Sequence, residues 1–164
     1  MNHTQTFEPK LTRQNAQRAG QLLAETIQDA SRKKNIKMNV ILSIVQALLA
    51  MLFFMSGYMK AFQPLDVLAQ SIQWTQDVPA PLVRFIGVSE MLGAMGLVVP
   101  AVTRIWLRST VFAAAALAIV MVSASIFHAS RGEFFALPMT VALFALAALV
   151  VYGRWKLVPF SSRD

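Results

Sequence analysis

Four long stretches of the sequence carry almost no charge, and they constrain the fold more than any other feature. Residues 38–59, 109–130 and 134–153 contain no Lys, Arg, Asp or Glu, and residues 85–103 contain only Glu90. A helix needs about 20 apolar residues to cross the roughly 30 Å hydrocarbon core of a bilayer. Four such stretches use half of the chain, so the sequence predicts an all-α integral membrane protein.

The composition agrees with a membrane location and excludes several other classes of protein. Charged residues make up 14% of the chain and the mean hydropathy is +0.54. A net charge of +7 in a soluble domain would suggest nucleic acid. Here the positive charges flank apolar spans, where they set topology and meet anionic lipid, so we expect no nucleic-acid partner. The absence of cysteine removes disulfides and thiol ligands, and the nine methionines favour core packing over copper, so we expect no metal.

The charge-free stretches predict a four-helix antiparallel bundle with short loops. The predicted spans are about 39–59, 82–99, 109–129 and 134–152, with Pro100 ending the second span. A short helix lying along the membrane interface is predicted between the first two spans, because apolar residues recur there at helical spacing. These residues are Leu65, Leu68, Ala69 and Ile72.

The sequence predicts two basic tails outside a membrane domain of residues 38–156. Residues 1–37 form a cytoplasmic tail that is either partly helical or disordered, and residues 157–164 form a short C-terminal tail. Met38 stands at the edge of the first span, so translation from Met38 would still give all four spans.

The distribution of Lys and Arg predicts the orientation of the bundle. With the N-terminus inside, the cytoplasmic flanks of the spans hold nine of them: Arg32, Lys33, Lys34, Lys37, Arg104, Arg108, Arg154, Lys156 and Arg163. Three lie on the opposite side: Lys60, Arg84 and Arg131. The positive-inside rule therefore predicts a multi-pass protein of a bacterial plasma membrane with both termini in the cytoplasm.

Glu90 is the one ionisable residue well inside a predicted span, which makes it a functional candidate. Lys60, Arg84 and His128 are its candidate partners, because all three lie at the outer ends of spans. Arg84 precedes Glu90 by six residues, which does not place the two on one helix face. Lys60 and His128 are therefore the better geometric partners.

Two serines complete a candidate polar pocket, which consists of Ser56, Lys60, Arg84, Glu90, Ser125 and His128. In a functional interpretation the pocket handles protons or binds a head group. A quinone would suit this pocket, because the quinone carbonyls need hydrogen-bond donors and the quinone tail needs apolar walls. In a structural interpretation Glu90 only holds helices together, and the cations reach toward lipid head groups. Gly87, Ser89 and Gly93 are predicted to allow close helix packing.

The second span and its neighbours carry a recognisable set of residues. It consists of the string Pro81–Ala94, the ordered set Gly57, Lys60, Gly87, Glu90, Gly93 and His128, and Arg131-Gly132-Glu133 with Pro138. This set resembles the DoxX-like family of small four-helix membrane proteins. The resemblance covers about residues 38–155 and leaves the N-terminal tail outside.

The resemblance implies a link to thiosulfate:quinone oxidoreductase, as a membrane subunit, or to oxidative-stress complexes with soluble partners. The sharpest hypothesis is a quinone-linked accessory subunit, with no enzymatic activity assigned to the chain alone and quinone as the candidate ligand. A non-enzymatic scaffold that docks a soluble partner through residues 1–37 is the alternative, and a small transporter is a weaker one. Expected partners are the lipid bilayer and either a soluble redox protein or further copies of the chain.

Overall fold

The computed structural model of the protein describes residues 8–103 and 108–157, with side chains described from residue 13 onward. Over these residues the chain forms five α-helices and no β-strand: α1 Glu8–Phe62, α2 Leu65–Ser71, α3 Ala80–Thr103, α4 Arg108–Ser130 and α5 Leu137–Tyr152. Short 3₁₀ turns occupy Gln73–Gln76 and Phe134–Ala136, and a π-helical turn occupies Gly153–Leu157. The all-α prediction is confirmed. Arg104, Arg163 and most of the predicted C-terminal tail lie outside the described residues.

The chain divides into two units, Met1–Asn39 and Val40–Asp164. In the first unit every residue from 13 to 37 is exposed. Its exposed residues include Leu23 and Ile27, which share one apolar helix face, and each keeps more than 60% of its surface accessible. The described part of this unit is thus a helix with an uncovered apolar face.

Four helices of the described chain are long and apolar enough to cross a membrane. Only 17–33% of the residues in their most apolar windows are buried, and large apolar side chains such as Phe85, Phe112 and Ile126 are exposed. Lipid tails are as apolar as these side chains, so a bilayer accommodates a surface that water would not. The fold is therefore that of an integral membrane protein with four helices capable of spanning the bilayer.

The core of the second unit is formed where α1, α3, α4 and α5 meet. Leu49 and Phe53 of α1 pack with Leu97 of α3, Leu117 of α4 and Val150 of α5, all nearly inaccessible. Small residues fill the remaining positions of this core: Ala50, Ala94, Ala114, Ala118 and Ala147. Small side chains let helix backbones approach closely, which is how membrane helices gain packing energy without water.

The segment between α1 and α3 contains the predicted short helix. Helix α2 buries Leu68 and Ala69, two members of the apolar set that predicted it. The prediction that Pro100 stops the helix of the second span is wrong, because α3 continues through Pro100 to Thr103. A proline removes one N–H hydrogen bond and its ring crowds the carbonyl four residues earlier, which can kink a helix without ending it.

Candidate functional site

The centre of the candidate site is an ion pair between α1 and α3. Lys60 Nζ lies 2.6 Å from Glu90 Oε1 and donates a second hydrogen bond of 2.9 Å to Ser56 Oγ. Lys60 is 8% exposed and Glu90 is 2% exposed. Helical side chains point toward the N-terminus of their helix, so the Lys60 ammonium turns back toward Ser56, one turn earlier, instead of reaching out from the end of α1.

Two glycines bring the helices close enough for this ion pair. A Cβ on Gly57 would lie 2.6 Å from the Gly87 carbonyl oxygen, and a Cβ on Gly87 would lie 2.6 Å from the Ala61 nitrogen and 2.8 Å from Lys60 Cβ. Any side chain at either position would push the backbones apart. The α1–α3 contact is therefore backbone against backbone, directly beside Lys60.

The hydrogen bond of Arg84 goes to the backbone at the end of α1 and not to the Glu90 carboxylate. The Arg84 guanidinium Nη1 donates to the Lys60 carbonyl oxygen at 2.8 Å. The last carbonyls of a helix have no partner within the helix and carry partial negative charge, so a guanidinium is a favourable cap there. Arg84 thus ties the Lys60 backbone to the start of α3.

One oxygen of the Glu90 carboxyl has no hydrogen-bond partner among the described residues. Glu90 Oε2 is buried, as is the only other such side-chain oxygen in the described chain, Thr110 Oγ1. Buried polar atoms are nearly always hydrogen-bonded, so an exception calls for an explanation. Glu90 Oε1 therefore accepts a hydrogen bond from Lys60, whereas Oε2 accepts none from the described residues.

The other two members of the predicted pocket make different contacts. Ser125 Oγ donates to the Met121 carbonyl and lies 2.7 Å from Thr140 Oγ1, which links α4 to α5. His128 Nδ1 lies 2.6 Å from Glu133 Oε2, in the turn between the same two helices. The structure thus groups Ser56, Lys60, Arg84 and Glu90 together, and joins Ser125 and His128 to other partners.

A charged network surrounds His128 at the α4–α5 turn. Arg131 Nε donates to Glu133 Oε1 at 2.7 Å, and Arg131 Nη2 contacts Asp77 Oδ2 in the segment that follows α2. The Arg131 guanidinium also lies over the Phe127 ring, 5.3 Å from its centroid. Hydrogen bonds from Arg131, and then from His128, hold the pKa of the Glu133 carboxyl below its usual range. The network fastens the segment between α1 and α3 to the turn between α4 and α5.

An apolar groove runs along the same two helices that carry the ion pair. It has a volume of about 580 Å³, and its lining includes Met51, Phe54 and Tyr58 of α1 and Ala94 and Met95 of α3. Tyr58 is two residues from Lys60, and Ala94 is one turn beyond Glu90. The groove is of the size and chemistry that accommodate an isoprenoid or acyl chain.

A second buried polar cluster, which the sequence did not predict, lies where α1 and α3 meet the π-helical turn that follows α5. Arg154 Nε donates to Gln46 Oε1 at 2.7 Å, and Arg154 Nη2 donates to Ser43 Oγ at 2.8 Å. Gln46 Nε2 in turn donates to the Leu97 carbonyl at 2.8 Å. The signal was present, because Gln46 is a strongly polar side chain in the middle of an uncharged span and a polar residue at that depth needs partners.

Of the three residues expected to allow close packing, two glycines lie in tight contacts. Gly87 meets α1 as described, and a Cβ on Gly93 would lie 2.6 Å from Leu117 Cδ2 of α4. The Ser89 hydroxyl donates to the Phe85 carbonyl of its own helix at 2.8 Å. Helix α3 therefore uses Gly87 and Gly93 to approach two different neighbours.

Comparison with known proteins identifies the chain at the level of its family. The model of the DoxX-like family matches residues 44–150, which is more than half of the chain and includes α2, α3, α4 and the ion pair. Neither the curated proteins nor the solved structures contain a match to the chain. On the family match, which agrees with the resemblance carried by Gly57, Lys60, Gly87 and Glu90, the chain belongs to the DoxX-like family.

Proposed function

We propose that this DoxX-like protein is a quinone-linked accessory subunit of a membrane redox or oxidative-stress complex. The observation that carries the proposal is the buried Lys60–Glu90 ion pair, because ionisable residues inside a membrane span are costly and usually serve a function. The chain itself is assigned no redox chemistry. Electrons would be exchanged between the quinone and a partner subunit.

The chemistry of the α1–α3 region fits both ends of a quinone. The carbonyl oxygens of the head group need hydrogen-bond donors, and the Lys60 ammonium supplies one. The tail needs an apolar channel, which the groove lined by Phe54 and Met95 supplies on the same two helices. Lys60 and Glu90 are buried, so we expect neighbouring side chains of α1 and α3 to move when the head group binds.

We further propose that the protein lies in a bacterial plasma membrane with both termini in the cytoplasm. The support is the distribution of Lys and Arg, because the positive-inside rule counts these residues and not the net charge. The flanks on the Lys60 side hold three of them, Lys60, Arg84 and Arg131, and the flanks on the other side hold nine. The chain has no native cysteine, so Ser31→Cys and Gln76→Cys can each be labelled with an impermeant maleimide in intact cells. Labelling at Gln76→Cys alone supports this orientation, and labelling at Ser31→Cys alone reverses it.

Native mass spectrometry of the protein, extracted gently from its own membrane, tests the ligand. We expect a bound quinone in the wild type and none in the double variant Lys60→Met/Glu90→Leu, which removes both polar groups without leaving an unpaired charge. Equal quinone retention by the two proteins would refute a site at the ion pair. The partner is then sought as a soluble redox protein or a further copy of the chain in the same spectra.

The second candidate is a non-enzymatic scaffold that recruits a soluble partner through residues 1–37. It is favoured by the complete exposure of residues 13–37, with Leu23 and Ile27 on one uncovered apolar face. Crosslinking in the native membrane discriminates the two functions. A crosslinked partner that disappears in Leu23→Ser/Ile27→Ser, with no quinone bound to the wild type, would favour the scaffold.

A further inference from the structure

We propose that the Lys60–Glu90 site binds the hydroxyl-bearing quinol in preference to the quinone, with a quinol hydroxyl donating to Glu90 Oε2; this inference rests on the quinone-linked function proposed above. The protein would thus retain the reduced form of the ligand, the quinol, in the membrane.

The hydrogen bonds of the ion pair distinguish its free donor from its free acceptor. Lys60 Nζ already donates to Glu90 Oε1 and to Ser56 Oγ, which uses two of its three N–H groups. Glu90 Oε2 is buried and accepts no hydrogen bond from the described residues. An ionised carboxylate can only accept, so the least satisfied atom of the site calls for a donor. Arg84 does not supply it, since its Nη1 donates to the Lys60 carbonyl.

The two redox forms of the ligand differ at this atom. A quinol carries O–H groups, and one of them can donate a charge-assisted hydrogen bond to Glu90 Oε2. A quinone carries carbonyl oxygens only, so at the same place two acceptors would face each other with no proton between them. Hydrogen bonds to charged groups discriminate by about 10- to 100-fold in affinity. We expect the quinol to bind more tightly than the quinone by a factor in that range.

The variant Glu90→Gln gives the sharpest test, because we expect it to reverse the preference between quinol and quinone and not merely to weaken binding. The amide has one acceptor oxygen, which the Lys60 ammonium requires, so the NH₂ group takes the position of Oε2. A donor then stands where an acceptor stood. A quinol hydroxyl can also accept from this donor, but a quinone carbonyl is the stronger acceptor, so the quinone should become the preferred form. Ser123→Ala is the matched control, because the exposed Ser123 hydroxyl donates only to the Ile119 carbonyl of its own helix. Both affinities should be unchanged in that variant.

The experiment is isothermal titration calorimetry of the full-length protein in lipid nanodiscs. The probes are 2-decyl-1,4-benzoquinone and its quinol, the latter kept reduced under anaerobic conditions. Preferential quinol binding by the wild type, with reversed preference in Glu90→Gln, supports the inference. Equal or tighter quinone binding by the wild type overturns it, and the function proposed above survives provided that Lys60→Met/Glu90→Leu abolishes that binding. If neither form binds the wild type more tightly than the double variant, the proposed function and this inference both fail.

Discussion

Gly57 of α1 and Gly87 of α3 pack backbone against backbone, and a Cβ added to Gly57 would lie 2.6 Å from the Gly87 carbonyl oxygen. This contact decides how far the Lys60 ammonium must reach to meet Glu90. The side chain turns back along α1 and meets the carboxylate at 2.6 Å. The contact between the Gly57 and Gly87 backbones therefore positions the Lys60–Glu90 pair, which is the one buried ion pair in the described part of the bundle.

The first prediction concerns this glycine contact. Gly87→Ala should lower the free energy of unfolding by about 1–3 kcal/mol, because its Cβ would overlap backbone atoms that cannot move independently. Gly20→Ala is the matched control, because a Cβ there meets nothing within 4 Å. At that exposed helical site alanine should stabilise by about 0.5–1 kcal/mol. Unfolding by sodium dodecyl sulfate in mixed micelles measures both variants, and equal stability of wild type and Gly87→Ala would contradict the packing described.

The second prediction separates the two members of the ion pair. Lys60→Met alone should destabilise the protein by about 3–5 kcal/mol, because it leaves the Glu90 carboxylate buried without its cation. Lys60→Met/Glu90→Leu should unfold close to the wild type, because apolar residues of similar size replace a buried pair at little cost. The same detergent titration gives both values. A double variant no more stable than Lys60→Met would mean that the pair itself, not the uncompensated charge, supplies the stability.

The third prediction is a pH dependence that arises at the α4–α5 turn. The pKa of Glu133 is lowered in the folded protein by Arg131 and then by His128. A lowered pKa contributes stability above the unfolded pKa, and this contribution is lost as the pH falls through the folded pKa. Glu133→Gln should therefore be less stable than the wild type at pH 7, and the difference should shrink as the pH falls below the usual glutamate range. Thermal unfolding of both proteins from pH 7 to pH 3 checks this, and a constant difference would exclude Glu133 as its source.

The fourth prediction addresses the cluster around Arg154. Gln46→Leu should cost about 1–3 kcal/mol, because it removes the acceptor of the Arg154 Nε hydrogen bond and the donor to the Leu97 carbonyl. Ser43→Ala should cost less, since it removes a single bond to Arg154. Detergent-induced unfolding ranks the two variants. The reverse order would assign the main support of Arg154 to Ser43.

Much of the candidate site could be recognised from the sequence as a set of residues, but not as a set of contacts. Glu90 stood out because a carboxylate in a span is costly, and Lys60 was one of three candidate partners at the outer ends of spans. Which cation meets Glu90 depends on the rotation and separation of helices far apart in the chain. His128 was an equal candidate by depth, yet its Nδ1 contacts Glu133, only five residues away.

The sequence by itself determined that this protein has four apolar helices suited to a bilayer and a short helix between the first two. It could do so because the hydrocarbon core prescribes the length and apolarity of each span whatever the neighbours are. The tertiary structure alone decided that Gly57 and Gly87 touch, that Lys60 turns inward to Glu90 and that one carboxylate oxygen remains without a partner. These are contacts between segments about 30 residues apart, and they depend on side-chain volumes and helix rotation that no local pattern records.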